Sequence, residues 1–285
     1  TLTNQGIELE VGYKLSVDKV NLSFLANASY VKNEIKNLGN QTGYIDKESL
    51  PTLGTVSRNE NGYPIGYFFG YKAIGVFQTQ EEIDSYISPA TGKPIQPNAA
   101  PGDTKFEDLN GDGVISDDNE DRTMIGKPNP DWMVGLTVAA DWNGFDLSAF
   151  FQGSFGADVF DALRRYELAA VNYTSDALER WTGPGTSNSM PRIVLGDTPK
   201  NFRPSTLLVH DASFLRLRNL QVGYTLPAQL TRKAYIQRLR FYASFDNLLT
   251  ITGYKGMDPE IGSTMGIDKG VYPQARVYTF GLNLT

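Results

Sequence analysis

The 285-residue sequence contains no cysteine and a single histidine. The first absence removes disulfide scaffolds and thiolate metal centres. The second leaves His210, in "LLVHDASFLRL", as an isolated imidazole just ahead of a strand-like segment, the setting of a surface or hydrogen-bonding residue rather than a catalytic one. No phosphate loop, dinucleotide fingerprint or nucleophile elbow accompanies it, so the chain does not read as an enzyme. No run approaches the roughly 18 consecutive apolar residues of a membrane-spanning helix. The opening "TLTNQGIELE" has neither a basic nor an apolar leader region and no initiator Met, and so looks processed or excised. Basic residues are not in excess: 26 Lys and Arg against 32 Asp and Glu give a net charge of -6, which argues against a nucleic-acid partner.

The apolar fraction of 40% is that of a folded chain, and 15 Tyr, 15 Phe, 3 Trp and 28 Gly suit β-structure with many turns. Period-2 alternation recurs. Ile7, Leu9, Val11, Tyr13, Leu15 and Val17 alternate with Glu8, Glu10, Gly12, Lys14 and Ser16; after the turn at Asp18-Lys19, Val20, Leu22, Phe24, Ala26, Ala28 and Tyr30 continue the pattern. Trp132 to Trp142 and Phe145 to Phe155 form a second such pair around Asn143-Gly144. "FLRLRNLQVGYTLP" and "RLRFYASFDNLL" form a third, and the phase change in its first member predicts a bulge near Asn219. "RVYTFGLNLT" is the last strand.

These are about seven strands of ten to twelve residues joined alternately by short turns and long connections, the latter at about 32–131, 156–213 and 249–275. That is the plan of an antiparallel outer-membrane β-barrel, and Trp132 and Trp142 bracket one strand as interfacial girdle residues do. A soluble sandwich uses the same alternation, but its strands average about five or six residues. An odd strand count does not suit a single-chain bacterial barrel. Either the chain is a fragment or an eighth strand lies in "GYFFGYKAIGVF". Short amphipathic helices are expected in "QEEIDSYI" and "DVFDALRRYELAAV".

The segment at 108–121, "DLNGDGVISDDNED", places oxygen-bearing side chains at every second position. Asp108, Asn110 and Asp112 occupy positions 1, 3 and 5 of a calcium loop, with Gly113 next, the Val114 carbonyl at position 7 and the apolar Ile115 after it. Position 12 is Asn119, a poor replacement for a bidentate Glu; Asp121 closes the shell if the loop carries an insertion. A structural Ca²⁺ is one reading, and an acidic glycine-rich turn without metal is the other. Asp117, Asp118, Glu120 and Asp121 superficially resemble glycosidase acids, but they crowd a loop that calcium explains better. Tyr67, Phe68, Phe69, Tyr71 and Trp181 are candidates for contact with a sugar or a partner; packing of the long connections on each other is the alternative.

Several ordered motifs resemble the C-terminal third of the SusC/RagA family: "GYPIGYFFGYKAIGVFQTQEEID" (62–84), "GDTKFEDLNGDGVISDDNEDRTMIGKPNPDWMVGL" (102–136), "FLRLRNLQVGYTLP" (214–227), "FYASFDNLLTITGYKGMDPE" (241–260) and "YPQARVYTFGLNLT" (272–285). The similarity covers essentially the whole chain. This family comprises the TonB-linked outer-membrane transporters of the Bacteroidetes. The resemblance implies a large all-β transmembrane barrel with long extracellular loops and an N-terminal plug. It further implies energisation through the TonB complex, a SusD-like surface lipoprotein as partner, and oligosaccharide or peptide as cargo. This sequence lacks the plug and most of the barrel, and it ends at Thr285 where the family usually has an aromatic residue. The competing function is a soluble calcium-binding β-module of adhesin or carbohydrate-binding type.

Overall fold

The computed structural model describes residues 1–117, 119–168, 170–261 and 265–285. Seven antiparallel strands form one sheet in chain order: β1 (Leu2–Val17), β2 (Val20–Ile35), β3 (Trp132–Trp142), β4 (Phe145–Phe155), β5 (Phe214–Thr225), β6 (Leu239–Thr252) and β7 (Val277–Leu284). β1 and β2 reach 16 residues each, longer than the alternation alone predicts. The register puts like with like. Leu15, Leu22, Ala140, Leu147, Val222, Ala243 and Phe280 form one cross-strand row. One pleat away, Lys14, Ser23, Ala139, Ser148, Gln221, Ser244 and Thr279 form another. Because side chains alternate with a period of two, one face is apolar across all seven strands and the other is mostly polar.

The expected bulge is present. Pairing of β5 shifts between Leu217 and Asn219 against both neighbours, leaving Arg218 as the extra residue, and Asn247 opposite takes a φ of 53°. Aromatic residues close both ends of the apolar face. Tyr30, Trp132 and Phe155 pair at the end bearing the long connections, and Trp142, Phe145, Tyr224 and Phe241 at the end bearing the short turns. Trp142 is 55% exposed. Ten strand residues at about 3.3 Å each, tilted by about 40°, separate the two rows by about 25 Å, the height of an outer-membrane apolar band.

The long connections fold rather than trail. Leu50, Val56 and Phe68 from the first, Phe160, Ala162 and Leu208 from the second, and Ile267 from the third share one hydrophobic core. Short strands knit this cap: Tyr44–Asp46, Ser57–Glu60, Tyr67–Tyr71 and Arg122–Gly126 form one sheet, and Asp158–Asp161, Val209–Asp211 and Ile267–Asp268 another.

Two sequence expectations are corrected here. "GYFFGYKAIGVF" supplies the strands Tyr67–Tyr71 and Ala73–Val76, but both lie in cap sheets, so the main sheet has seven members. "DVFDALRRYELAAV" begins as the strand Asp158–Asp161 and forms no helix in its described residues, Ala169 lying outside them. Antiparallel pairing with Val209–Asp211 and parallel pairing with Ile267–Asp268 override its helical periodicity. The other expected helix forms over Gln80–Ser85, capped by Thr79 Oγ1 accepting from the Glu82 N–H at 3.3 Å.

Candidate functional site

The acidic loop folds around its own backbone. Asp108 Oδ1 accepts from the Gly111 N–H at 2.8 Å and its Oδ2 from the Gly113 N–H at 2.9 Å. Asp112 Oδ1 accepts from the Val114 N–H at 2.9 Å, and Asn110 Oδ1 from the Asp112 N–H at 3.0 Å. Asp121, completely buried, closes the loop by accepting from Leu109 N–H and Ser116 N–H, each at 3.0 Å. Asn119 turns away at a φ of 81°, its Oδ1 accepting from Arg122 Nη1 at 2.8 Å. Of the two closing candidates, Asp121 is therefore the one that spans the loop.

Gly113 is a required glycine. Its φ is +88°, and a Cβ there would lie 2.8 Å from Ser88 Oγ. The oxygen types of Asp108, Asn110, Asp112, the Val114 carbonyl and Asp121 suit a hard divalent cation. In this arrangement, however, their carboxylates face N–H groups, and no three acidic or imidazole side chains converge as a metal cage among the described residues. Asp118 lies outside those residues. Asp117 pairs with Lys200 of the second connection, and Glu120 accepts from Asn110 within the loop, so these acids hold the cap together.

Tyr67, Phe68, Phe69 and Tyr71 are all buried, Phe68 completely. Their strand is covered on both faces, so consecutive aromatics are accommodated where a two-faced strand would expose half of them. They interleave with arginines that the sequence gave no reason to single out. The Arg58 guanidinium lies 4.0 Å from the Tyr44 ring and 3.6 Å from Phe69; Arg122 lies 4.3 Å from Phe69 and 5.7 Å from Tyr71; Arg203 lies 4.8 Å from Tyr71 and 5.0 Å from Phe106. This alternating stack joins the first connection to the second. Burial pushes the Arg122 guanidinium below its ordinary pKa, while burial and then the hydrogen bond to Glu60 push the Tyr67 phenol well above its own. Tyr71 Oη donates to the Ser116 carbonyl at 2.7 Å, tying the stack to the acidic loop. Trp181 lies against Gly102 and donates from Nε1 to Gln78 Oε1 at 3.2 Å.

A polar node fastens the same two connections. Arg192 grips Asp103 at 2.6 and 3.1 Å, and Asn201 accepts from the Thr104 N–H at 2.8 Å while donating to Asp103 at 3.0 Å. Asp197 accepts from the Asn201 and Phe202 N–H groups, each at 2.9 Å, and burial pushes its carboxyl up to about 6. His210 lies 3.8 Å from Asp161, and burial lowers its pKa, favouring the neutral ring.

The polar face of the sheet carries the third cluster. Arg216 projects from the row Glu10, Asn27, Gly135, Gln152, Arg216, Thr250 and is only 2% exposed. It donates to Thr250 Oγ1 at 2.9 Å, Glu260 at 3.0 Å and Asp258 at 2.5 Å. The bulged Arg218 donates to both Glu260 oxygens at 2.6 Å and to Gln152 at 2.7 Å. Burial alone would raise the Asp258 carboxyl, but the Gln274 and Glu260 N–H groups and then Arg216 hold it below its ordinary value. The pairing went unrecognised in the sequence; its one local trace is the shared two-residue spacing of Arg-x-Arg and Asp-x-Glu.

No family model matches the chain. It is 34% identical over 234 residues to TonB-dependent receptor P3 of Formosa agariphila, covering 78% of this chain and 22% of that protein. It is 30% identical over 290 residues to TonB-dependent receptor SusC of Bacteroides thetaiotaomicron, covering 100% of this chain and 26% of that one. Among solved structures, the RagAB peptide transporter superposes with a TM-score of 0.75 at 26% identity, over 99% of this chain and 29% of that chain. The open-open state of the RagAB peptide importer gives 0.71 at 28% identity, over 99% of this chain and 28% of that one. The chain thus spans between 22% and 30% of the length of the curated relatives it matches. Its seven-stranded, two-faced sheet superposes on a section of the chain of those transporters and is open at both edges. On sequence, strand order and superposition together, the chain belongs to the SusC/RagA family of TonB-dependent receptors.

Proposed function

We propose that this chain is part of a TonB-energised importer of the outer membrane that takes up an oligosaccharide or a peptide through its barrel. The observation that carries this reading is the apolar face running uninterrupted across all seven strands between two aromatic rows. A soluble calcium-binding module would have to cover that face. The names of the solved neighbours favour peptide as cargo, and the name SusC attached to one relative supports a surface lipoprotein of SusD type as partner. That lipoprotein would sit over the folded cap, which would then be extracellular. TonB would engage a part of the parent protein outside these residues. The reading assigns no reaction to the chain. The test is uptake of labelled peptides and glycans by cells with and without the parent gene: TonB-dependent uptake lost on deletion is expected, and unchanged uptake of every cargo refutes the importer.

Ca²⁺ in the acidic loop belongs to the same proposal. A cation would draw on Asp108, Asn110, Asp112 and the Val114 carbonyl, with Asp121 already at the loop's mouth and Asn119 committed to Arg122. Calorimetry on the chelated, detergent-solubilised parent is expected to register binding at millimolar Ca²⁺ that Asp112→Ala weakens about tenfold or more. Equal binding by both proteins would leave the loop a metal-free acidic turn.

A further inference from the structure

The third long connection does not simply extend outward from the strand ends. Residues 258–260 lie against the polar face, which on the importer reading is the barrel interior, at the level of Gln152, Arg216 and Thr250. Four charges meet there: Asp258 and Glu260 from the connection, Arg216 and Arg218 from β5. The pairing is two by two, with Arg216 reaching both acids and Arg218 both oxygens of Glu260. Arg216 and Arg218, two residues apart, share this face by ordinary alternation, and the β5 bulge leaves Arg218 outside the ladder between Leu217 and Asn219. Asp258 also gathers its own connection, accepting from Glu260 N–H at 2.9 Å and Gln274 N–H at 3.0 Å.

We propose that Asp258–Pro259–Glu260 is a latch that holds the third connection inside the barrel, so that the docked segment narrows the path between the cap and the lower interior. Arg216 and Asp258 are buried, and charges of this kind stabilise only as a pair, since a lone partner remains desolvated and uncompensated; Arg218 and Glu260 flank them at the partly exposed margin. The latch is therefore two-state: loss of one side releases the segment rather than loosening it by degrees. The acids match the arginine spacing in a single register, which gives the segment one seat on the wall.

The consequence for passage rests on the importer reading, but the test needs only the barrel. In the full-length parent, with any cysteine outside these residues replaced by serine, Ser148→Cys places a thiol on the polar face one strand segment below the latch, in the row with Gln221 and Ser244. A bulky maleimide added from the cap side reports access, and hydrogen exchange at Glu260 and Gln274 reports docking. In the Asp258→Asn/Glu260→Gln variant, both amides should exchange at least tenfold faster and labelling should accelerate at least tenfold. Glu260→Asp, which keeps a carboxylate facing both Arg216 and Arg218, should label more slowly than the neutralised variant, which a merely unfolded loop would not do. Unchanged exchange in the neutralised variant overturns the latch. Faster exchange with unchanged labelling overturns the constriction while leaving the importer reading untouched.

Discussion

At the scale of single residues, Asp197 shows how a buried acid links the cap to pH. Its folded pKa of about 6 exceeds the unfolded value of about 3.9, so the native cap binds the extra proton between those values. Its stabilising contribution, on the order of 2–3 kcal/mol, is complete below the unfolded pKa and is lost as pH rises through 6. Intrinsic-rate-corrected hydrogen exchange at Asn201 and Phe202 should therefore slow as pH falls from 7 to 4, and Asp197→Asn should flatten that dependence. Gly102 makes a steric prediction. Its φ is +93° and a Cβ would meet the Trp181 ring at 2.4 Å, so Gly102→Ala should cost about 2 kcal/mol or more of local stability. The expected readouts are faster exchange at its amide, which donates to Phe77, and a shift in Trp181 fluorescence.

At the scale of elements, the acidic loop is closed from within by the buried Asp121. Asp121→Ala would leave the Leu109 and Ser116 N–H groups without their acceptor, at about 1–3 kcal/mol each. The loop should become protease-sensitive with the barrel intact, whereas Val114→Ala, at an exposed position, should have little effect. The same scale explains what the sequence disclosed. The spanning strands were legible because a two-faced strand writes its geometry as period 2, and the break in that period revealed the bulge at Arg218. Tyr67 to Tyr71 left contact and packing open because the sequence does not say whether both faces of their strand are covered, as they are. Asp158–Asp161 read as the start of a helix because its strand partners, Val209–Asp211 and Ile267–Asp268, lie far away in the chain. The Arg216–Asp258 pairing was hidden for the same reason, and only the tertiary fold brings those charges together.

At the scale of the whole molecule, the seven strands leave β1 and β7 as unpaired edges and one apolar face without a protein cover. Neither is tolerated in water, and open edges are not tolerated in lipid either. Residues 1–285 expressed alone without detergent should therefore associate rather than yield a monodisperse, cooperatively unfolding monomer, as seen by light scattering and denaturant titration. In the parent, the remaining strands would close the edges and lipid would cover the face. The cap imposes a different demand, one of order in time. Its parallel pairing of Phe160 with Ile267 joins the second connection to the third, across the two strands β5 and β6. On the importer reading, β5 and β6 would have to be in place before that pairing could form. The cap would then be the last part to close, completed when the third connection reaches the second.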